Sequence, residues 1–132
     1  NRDGRFIAGS SYGGLISIYS LTKYPELFSG VAALSTHWPG TYESNNEIPD
    51  GIREYLRQNM PDPGSHRIYF DHGTETLDSL YAPYQQKVDA MMVELGFTPD
   101  IDFKSDVFEG TDHSENAWAE RFEIPVKFLH SR

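Results

Sequence analysis

The chain has 132 residues, 38% hydrophobic and 14% aromatic, enough for one domain around one core. Its 11 Lys and Arg against 20 Asp and Glu give a formal charge of −9, which opposes phosphate backbones and anionic lipid surfaces, so neither nucleic acid nor a membrane is an expected partner. The lack of cysteine excludes disulfides and thiolate metal sites, and no apolar run approaches the ~20 residues that span a bilayer.

Residues 5–9 form a short apolar run bounded by glycine, the pattern of a buried strand. Residues 13–24 carry Leu15, Ile16, Ile18, Tyr19 and Leu21 around most of a helical circumference and stop before Pro25. That pattern predicts a helix buried on several sides. "GVAAL" at 30–34 reads as a second strand, and residues 36–51, rich in Pro, Gly, Ser and Asn, as the longest loop. Ile52, Tyr55, Leu56 and Met60 recur at helical spacing up to "PDPG" at 61–64. "RIYF" at 67–70 is a third strand, followed by the loop "DHGTETLD". Tyr81, Tyr84, Val88, Met91, Met92 and Leu95 make an amphipathic helical stripe that Gly96 caps. Residues 101–108 predict a fourth strand, and residues 118–129 a helix kinked or restarted at Pro125. The alternation spells crossover units: an α/β fold over residues 1–132, with a mostly parallel sheet of about four strands and flanking helices.

Gly9-Ser10-Ser11-Tyr12-Gly13 fits G-x-S-x-G between a predicted strand and a predicted helix, the context in which this motif makes a nucleophile elbow. Ser11 is its central serine and Ser10 the spacer. Gly9 and Gly13 leave room for the strained turn, and Gly14 for close helix packing. The Tyr12 N–H, at the helix N-terminus, is the expected oxyanion donor. A serine needs a base. His113, in "FEGTDHSENAW" after the last strand, is the candidate; His130 lies on a terminal helix and His66 enters its strand from the wrong edge. His37 and His72 follow strands; His37 and Trp38, in "STHWPG", are candidate substrate-binding residues, whereas Trp118 is read as anchoring the last helix. The orienting acid belongs in "DHGTETLD", where Asp71, Glu75 and Asp78 all qualify by position. Asp71 is close enough to its strand to cap the next turn or pair with a nearby base. Asp78 is preferred, with Glu75 as the alternative acid, giving the chain order Ser11, Asp78, His113.

With "RFIAGSSYGG", "ELFSGVAALS", "RIYFDHGTETLD" and "FEGTDHSENAWAERF" in place, the sequence resembles the esterase family of α/β-hydrolases, the group around esterase D, feruloyl esterases and enterochelin esterases. The resemblance implies a serine carboxylesterase for short-chain or aromatic esters, with nucleophile Ser11, base His113 and acid Asp78, and without metal or cofactor. The chain resembles only the C-terminal half of that fold, which would leave the elbow strand as an edge and remove the loop that usually gives a second oxyanion donor. A homodimer, or an N-terminal domain, is therefore expected to cover Phe6, Ile7 and Ala8. The competing expectation is a non-catalytic half-domain or interaction module of a larger esterase. A peptidase of the same fold ranks last, since nothing resembles a peptide groove.

Overall fold

A computed structural model describes residues 2–131. Four strands, β1 (Phe6–Ser10), β2 (Gly30–Leu34), β3 (Arg67–His72) and β4 (Phe103–Val107), form one all-parallel sheet in the order β1-β2-β3-β4. The helices between them are α1 (Tyr12–Lys23), α2 (Glu47–Asn59) and α3 (Ala82–Glu94), and α4 (Glu115–Arg121) and α5 (Glu123–His130) follow β4.

β2 is buried at all five positions, as a parallel strand covered on both faces must be. Its side chains alternate between two clusters. Val31 and Ala33 join Ile18, Leu21, Leu56, Phe70, Val88 and Met92 on the face that α1, α2 and α3 cover. Ala32 and Leu34 join Tyr69 and Leu129 on the other face, under α5. Because every strand-to-strand crossover keeps the same hand, the three crossover helices share one side, and the C-terminal helices fill the other. No helix among the described residues is long and apolar enough to cross a membrane.

Several boundaries differ from expectation. α2 begins at Glu47, inside the expected loop, because Pro49 falls in the first helical turn, where a missing N–H costs nothing. β4 begins at Phe103, not residue 101: Asp100 adopts φ 64° in a turn, and Ile101 points outward at 59% exposure. The terminal helix breaks at Phe122, and Pro125 sits in the first turn of α5. Gly96 caps α3 with φ 100°.

The larger correction concerns α1. It buries Gly14, Ser17, Ile18 and Leu21, but Tyr12, Ile16 and Tyr19 are exposed. α1 packs on β1 and β2, and β1 is an edge of the sheet among the described residues, so nothing lies beyond it to cover the outer side of the helix.

Close packing around the elbow rests on Gly9, where β1 meets α1, and on Gly14, where α1 meets the turn after β2, but not on Gly13. A Cβ at Gly9 would lie 2.2 Å from the Gly13 carbonyl oxygen, and one at Gly14 would lie 2.7 Å from Thr36 Oγ1, whereas at Gly13 a Cβ meets nothing within 4 Å. Gly9→Ala should therefore cost about 2–3 kcal/mol through forced backbone movement. Gly13→Ala should stabilise by about 0.5 kcal/mol by stiffening the unfolded chain. Urea unfolding of the two variants checks the contrast; equal effects would contradict it.

Candidate active site

Each strand delivers one group to the carboxyl edge of the sheet. After β1, Ser11 turns with φ 58° and ψ −121°, a conformation that side chains rarely adopt. Its N–H donates to the Leu34 carbonyl at 2.9 Å, and the His37 N–H donates to its carbonyl at 3.3 Å, so the neighbouring strand end holds the turn on both sides. Ser11 is the N-cap of α1, yet its side chain makes no capping hydrogen bond. The hydroxyl points instead to His113, with Oγ 3.0 Å from Nε2. Tyr12 is the first residue of α1, so its N–H is one of the donors that a helix leaves without an internal acceptor.

His113 arrives on the segment between β4 and α4. Its N–H donates to Thr76 Oγ1 at 2.9 Å, and Nδ1 lies 2.7 Å from Asp78 Oδ1. Asp78 is 1% exposed and accepts two further hydrogen bonds at Oδ2, from the Ser35 hydroxyl and the Gly73 N–H, both at 2.6 Å. Glu75, the alternative acid, is exposed and accepts from Thr74 Oγ1. The acid and base loops are clasped together. Thr74 and Glu75 both donate their N–H to the Thr111 carbonyl at 3.0 Å, and Gly73 packs so close to Thr111 that a Cβ there would approach within 2.3 Å.

His37 and Trp38 are both buried, at 0% and 1% exposure. The turn after β2, opened by Ser35 at φ 44°, folds them under the sheet edge. Trp38 packs on Phe70 with ring centroids 5.8 Å apart and donates its Nε1–H to Gln85 Oε1, which makes it a core residue. His37 Nδ1 is 2.7 Å from the Tyr81 hydroxyl, and its ring meets those of Tyr12 and Tyr81 edge-on. Burial lowers the His37 pKa from its ordinary value. Trp118 does anchor its helix, and it also sets its ring edge-on to that of His113 at 5.0 Å. His72, whose Nδ1 lies 2.6 Å from the Gly73 carbonyl oxygen, is buried behind the acid loop, and His66 is buried at the opposite strand end near the Pro25 carbonyl. His130 packs on Phe6.

Beneath these loops lies a polar layer that the sequence patterns do not signal. Asp71, at the end of β3, pairs with Arg121 of α4 in a fork, Nε to Oδ2 and Nη2 to Oδ1, both at 3.0 Å. Tyr69 also donates to Asp71, and Arg121 reaches Thr111 Oγ1 and Ser35 Oγ. Asp71 thus neither caps the turn nor faces His113. No group of three or more acidic or histidine side chains among the described residues is placed to hold a metal ion. A cavity of about 200 Å³ beside the elbow is lined by Gly9, Ser10, Leu34, Trp118 and Phe122. A larger apolar groove of about 470 Å³ between α1 and α2 includes none of the Ser11, His113 and Asp78 side chains.

This arrangement has relatives. The sequence model of a family described as "Putative esterase" matches residues 1–129. The uncharacterized protein YbbA of Bacillus subtilis is 25% identical over 134 aligned residues, which cover 97% of this chain and 50% of YbbA. Enterochelin esterase from Shigella flexneri superposes with a TM-score of 0.75 at 18% identity, covering 98% of this chain and 31% of its own. S-formylglutathione hydrolase (FrmB) from Staphylococcus aureus does so with a TM-score of 0.69 at 14% identity, covering 97% and 51%. The chain thus spans about half the length of the curated relative it matches, and the two structures share its fold.

Burial of His37 has a consequence for stability. Its folded pKa lies below the ordinary 6.5, so below about pH 6.5 the unfolded chain binds a proton that the folded one resists, and stability falls as pH drops. Between about pH 7.5 and pH 5 the Tm of the wild type should fall further than that of His37→Gln, whose amide still reaches the Tyr81 hydroxyl. Parallel losses in thermal melts would rule His37 out as the cause.

Proposed function

We propose, from the premise that this chain belongs to the esterase family whose model it matches, that it hydrolyses carboxylic esters through an acyl-enzyme on Ser11. The observation that carries the proposal is the continuous contact from Ser11 Oγ to His113 Nε2 and from His113 Nδ1 to Asp78, at 3.0 and 2.7 Å. Ser11 Oγ attacks the ester carbonyl carbon while His113 Nε2 takes its proton. The carbonyl oxygen gains negative charge and meets the Tyr12 N–H. His113 then returns the proton to the departing alkoxide, which leaves as the alcohol. Water repeats the sequence on the acyl-enzyme, giving the carboxylic acid and free Ser11. Asp78 keeps the imidazole oriented and stabilises its charged form. The small cavity between Leu34, Trp118 and Phe122 adjoins Ser10 but includes none of the Ser11, His113 and Asp78 side chains, so the preference for short-chain or aromatic acyl groups rests on the family resemblance.

A second observation bears on what accompanies the chain. β1 is an edge strand, and the exposed Tyr12, Ile16 and Tyr19 stand beside it. Apolar surface next to unpaired strand backbone calls for a partner. The proposed cover is a second copy of this chain or an N-terminal domain, which would also bring the second oxyanion donor. The same edge is what favours the alternative, a non-catalytic module that docks through β1.

p-Nitrophenyl acetate or butyrate should be hydrolysed, with Ser11→Ala reducing kcat by ~10⁴–10⁶. A fluorophosphonate probe should label the wild type and not the variant. An unchanged rate in Ser11→Ala rejects the nucleophile, and an inert, correctly folded wild type favours the docking module. If a second copy supplies the missing donor, specific activity should rise with protein concentration alongside dimer formed in sedimentation velocity. A fully active monomer rules that copy out.

A further inference from the structure

We infer that the Ser35 hydroxyl, aimed by Arg121 and Trp118, is a positioning group that fixes how Asp78 presents itself to His113. The inference deepens the esterase proposal and rests on it for its kinetic consequence, although the hydrogen-bond logic stands without it.

Ser35 is the first residue past β2 and is fully buried. Its N–H donates to the Asp71 carbonyl at 2.8 Å and contacts Oδ1 of the same residue at 3.2 Å, which ties its left-handed backbone to the end of β3. Three groups surround its hydroxyl: Trp118 Nε1 at 2.9 Å, Arg121 Nη2 at 3.0 Å and Asp78 Oδ2 at 2.6 Å. An indole N–H and a guanidinium only donate. A hydroxyl has two lone pairs and one hydrogen, so both lone pairs are committed and the hydrogen has one destination, Asp78. Arg121 cannot swing away, because its other nitrogens are held by Asp71 and Thr111.

The consequence passes along the carboxylate. Oδ2 receives the Ser35 and Gly73 hydrogens, and Oδ1 is left to face His113 Nδ1. With Oδ2 taken up by two donors, Asp78 presents Oδ1 to the imidazole; as a carboxylate it can only accept there, which places the hydrogen on Nδ1 and the lone pair on Nε2, opposite Ser11 Oγ. Without the Ser35 hydrogen bond, more of the carboxylate charge is available to the imidazolium. Protonated His113 is then favoured and its titration moves to higher pH. A hydroxyl that merely filled space would leave that titration alone.

The test is ¹⁵N NMR of the His113 imidazole across pH, on wild type, Ser35→Ala and Trp118→Phe, with thermal melts to establish folding. Ser35→Ala should raise the titration midpoint by roughly 0.5–1 pH unit. Trp118→Phe frees one lone pair of Ser35 while keeping an aromatic ring near His113, and should move it less in the same direction. In p-nitrophenyl acetate hydrolysis, the acid limb of the pH–rate profile should move with the midpoint, and kcat should fall ~10-fold with KM unchanged. A folded Ser35→Ala with an unmoved midpoint overturns the inference; if Ser35→Ala does not fold, an unmoved Trp118→Phe does so. Variant midpoints that move as expected in a protein whose wild type hydrolyses nothing support the inference and defeat the esterase proposal instead.

Discussion

The buried pair between Asp71 and Arg121 holds the carboxyl edge of this sheet together. Asp71 is wholly buried and Arg121 nearly so, and their two parallel hydrogen bonds join the end of β3 to α4 across 50 residues of sequence. A buried pair of this kind adds little net stability compared with apolar residues of the same volume, but breaking it by removing one member costs ~3–5 kcal/mol. Its value here is geometric. From Arg121 the contacts run to Thr111, which clasps the loops of Asp78 and His113, and to Ser35, which touches Asp78 itself. Tyr69 and the Ser35 N–H occupy what remains of the carboxylate's acceptor sites, so the layer is satisfied from end to end.

Hydrogen bonds at the same sheet edge hold strained backbone in place. Ser11, Ser35 and Thr76 all have positive φ, and each costs on the order of 1–3 kcal/mol. Each is held from at least one side: Ser11 by the Leu34 carbonyl and the His37 N–H, Ser35 by Asp71, and Thr76 by the His113 N–H that its hydroxyl accepts. The strain turns the side chains away from the directions that a strand or a helix would give them. Ser11 does not cap its helix, and Ser35 does not point into the core.

Much of this was legible in the sequence where the signal was local. Short apolar runs bounded by glycine and proline marked four strands, and the spacing of Tyr81 to Leu95 marked α3, because burial imposes a period that propensity cannot disguise. Ser11 and His113 stood out because each directly follows a strand end, and Asp78 and Glu75 because both lie far enough along their loop to reach back to His113. The rest depended on contacts that no window contains. Arg121 sits in "NAWAERF", where no local pattern marks it out, and only the fold brings Asp71 beneath it. Trp38 resembled a pocket residue because it follows a strand, but the turn at Ser35 sends it inward. Gly13 fitted the motif without being sterically required, since what it faces is open.

The span of the site also has a consequence for when it comes into being. Ser11 and His113 are 102 residues apart, and Arg121, which ties their supports together, comes later still. A chain emerging from the ribosome exposes Ser11 well before His113, at a synthesis rate of ~5–20 residues per second. During that interval the elbow, if formed, holds Ser11 without the His113 imidazole beside it. Under the proposed mechanism Ser11 becomes reactive only once the His113 segment is in place, so chemical labelling of Ser11 would report completed folding rather than partial folding.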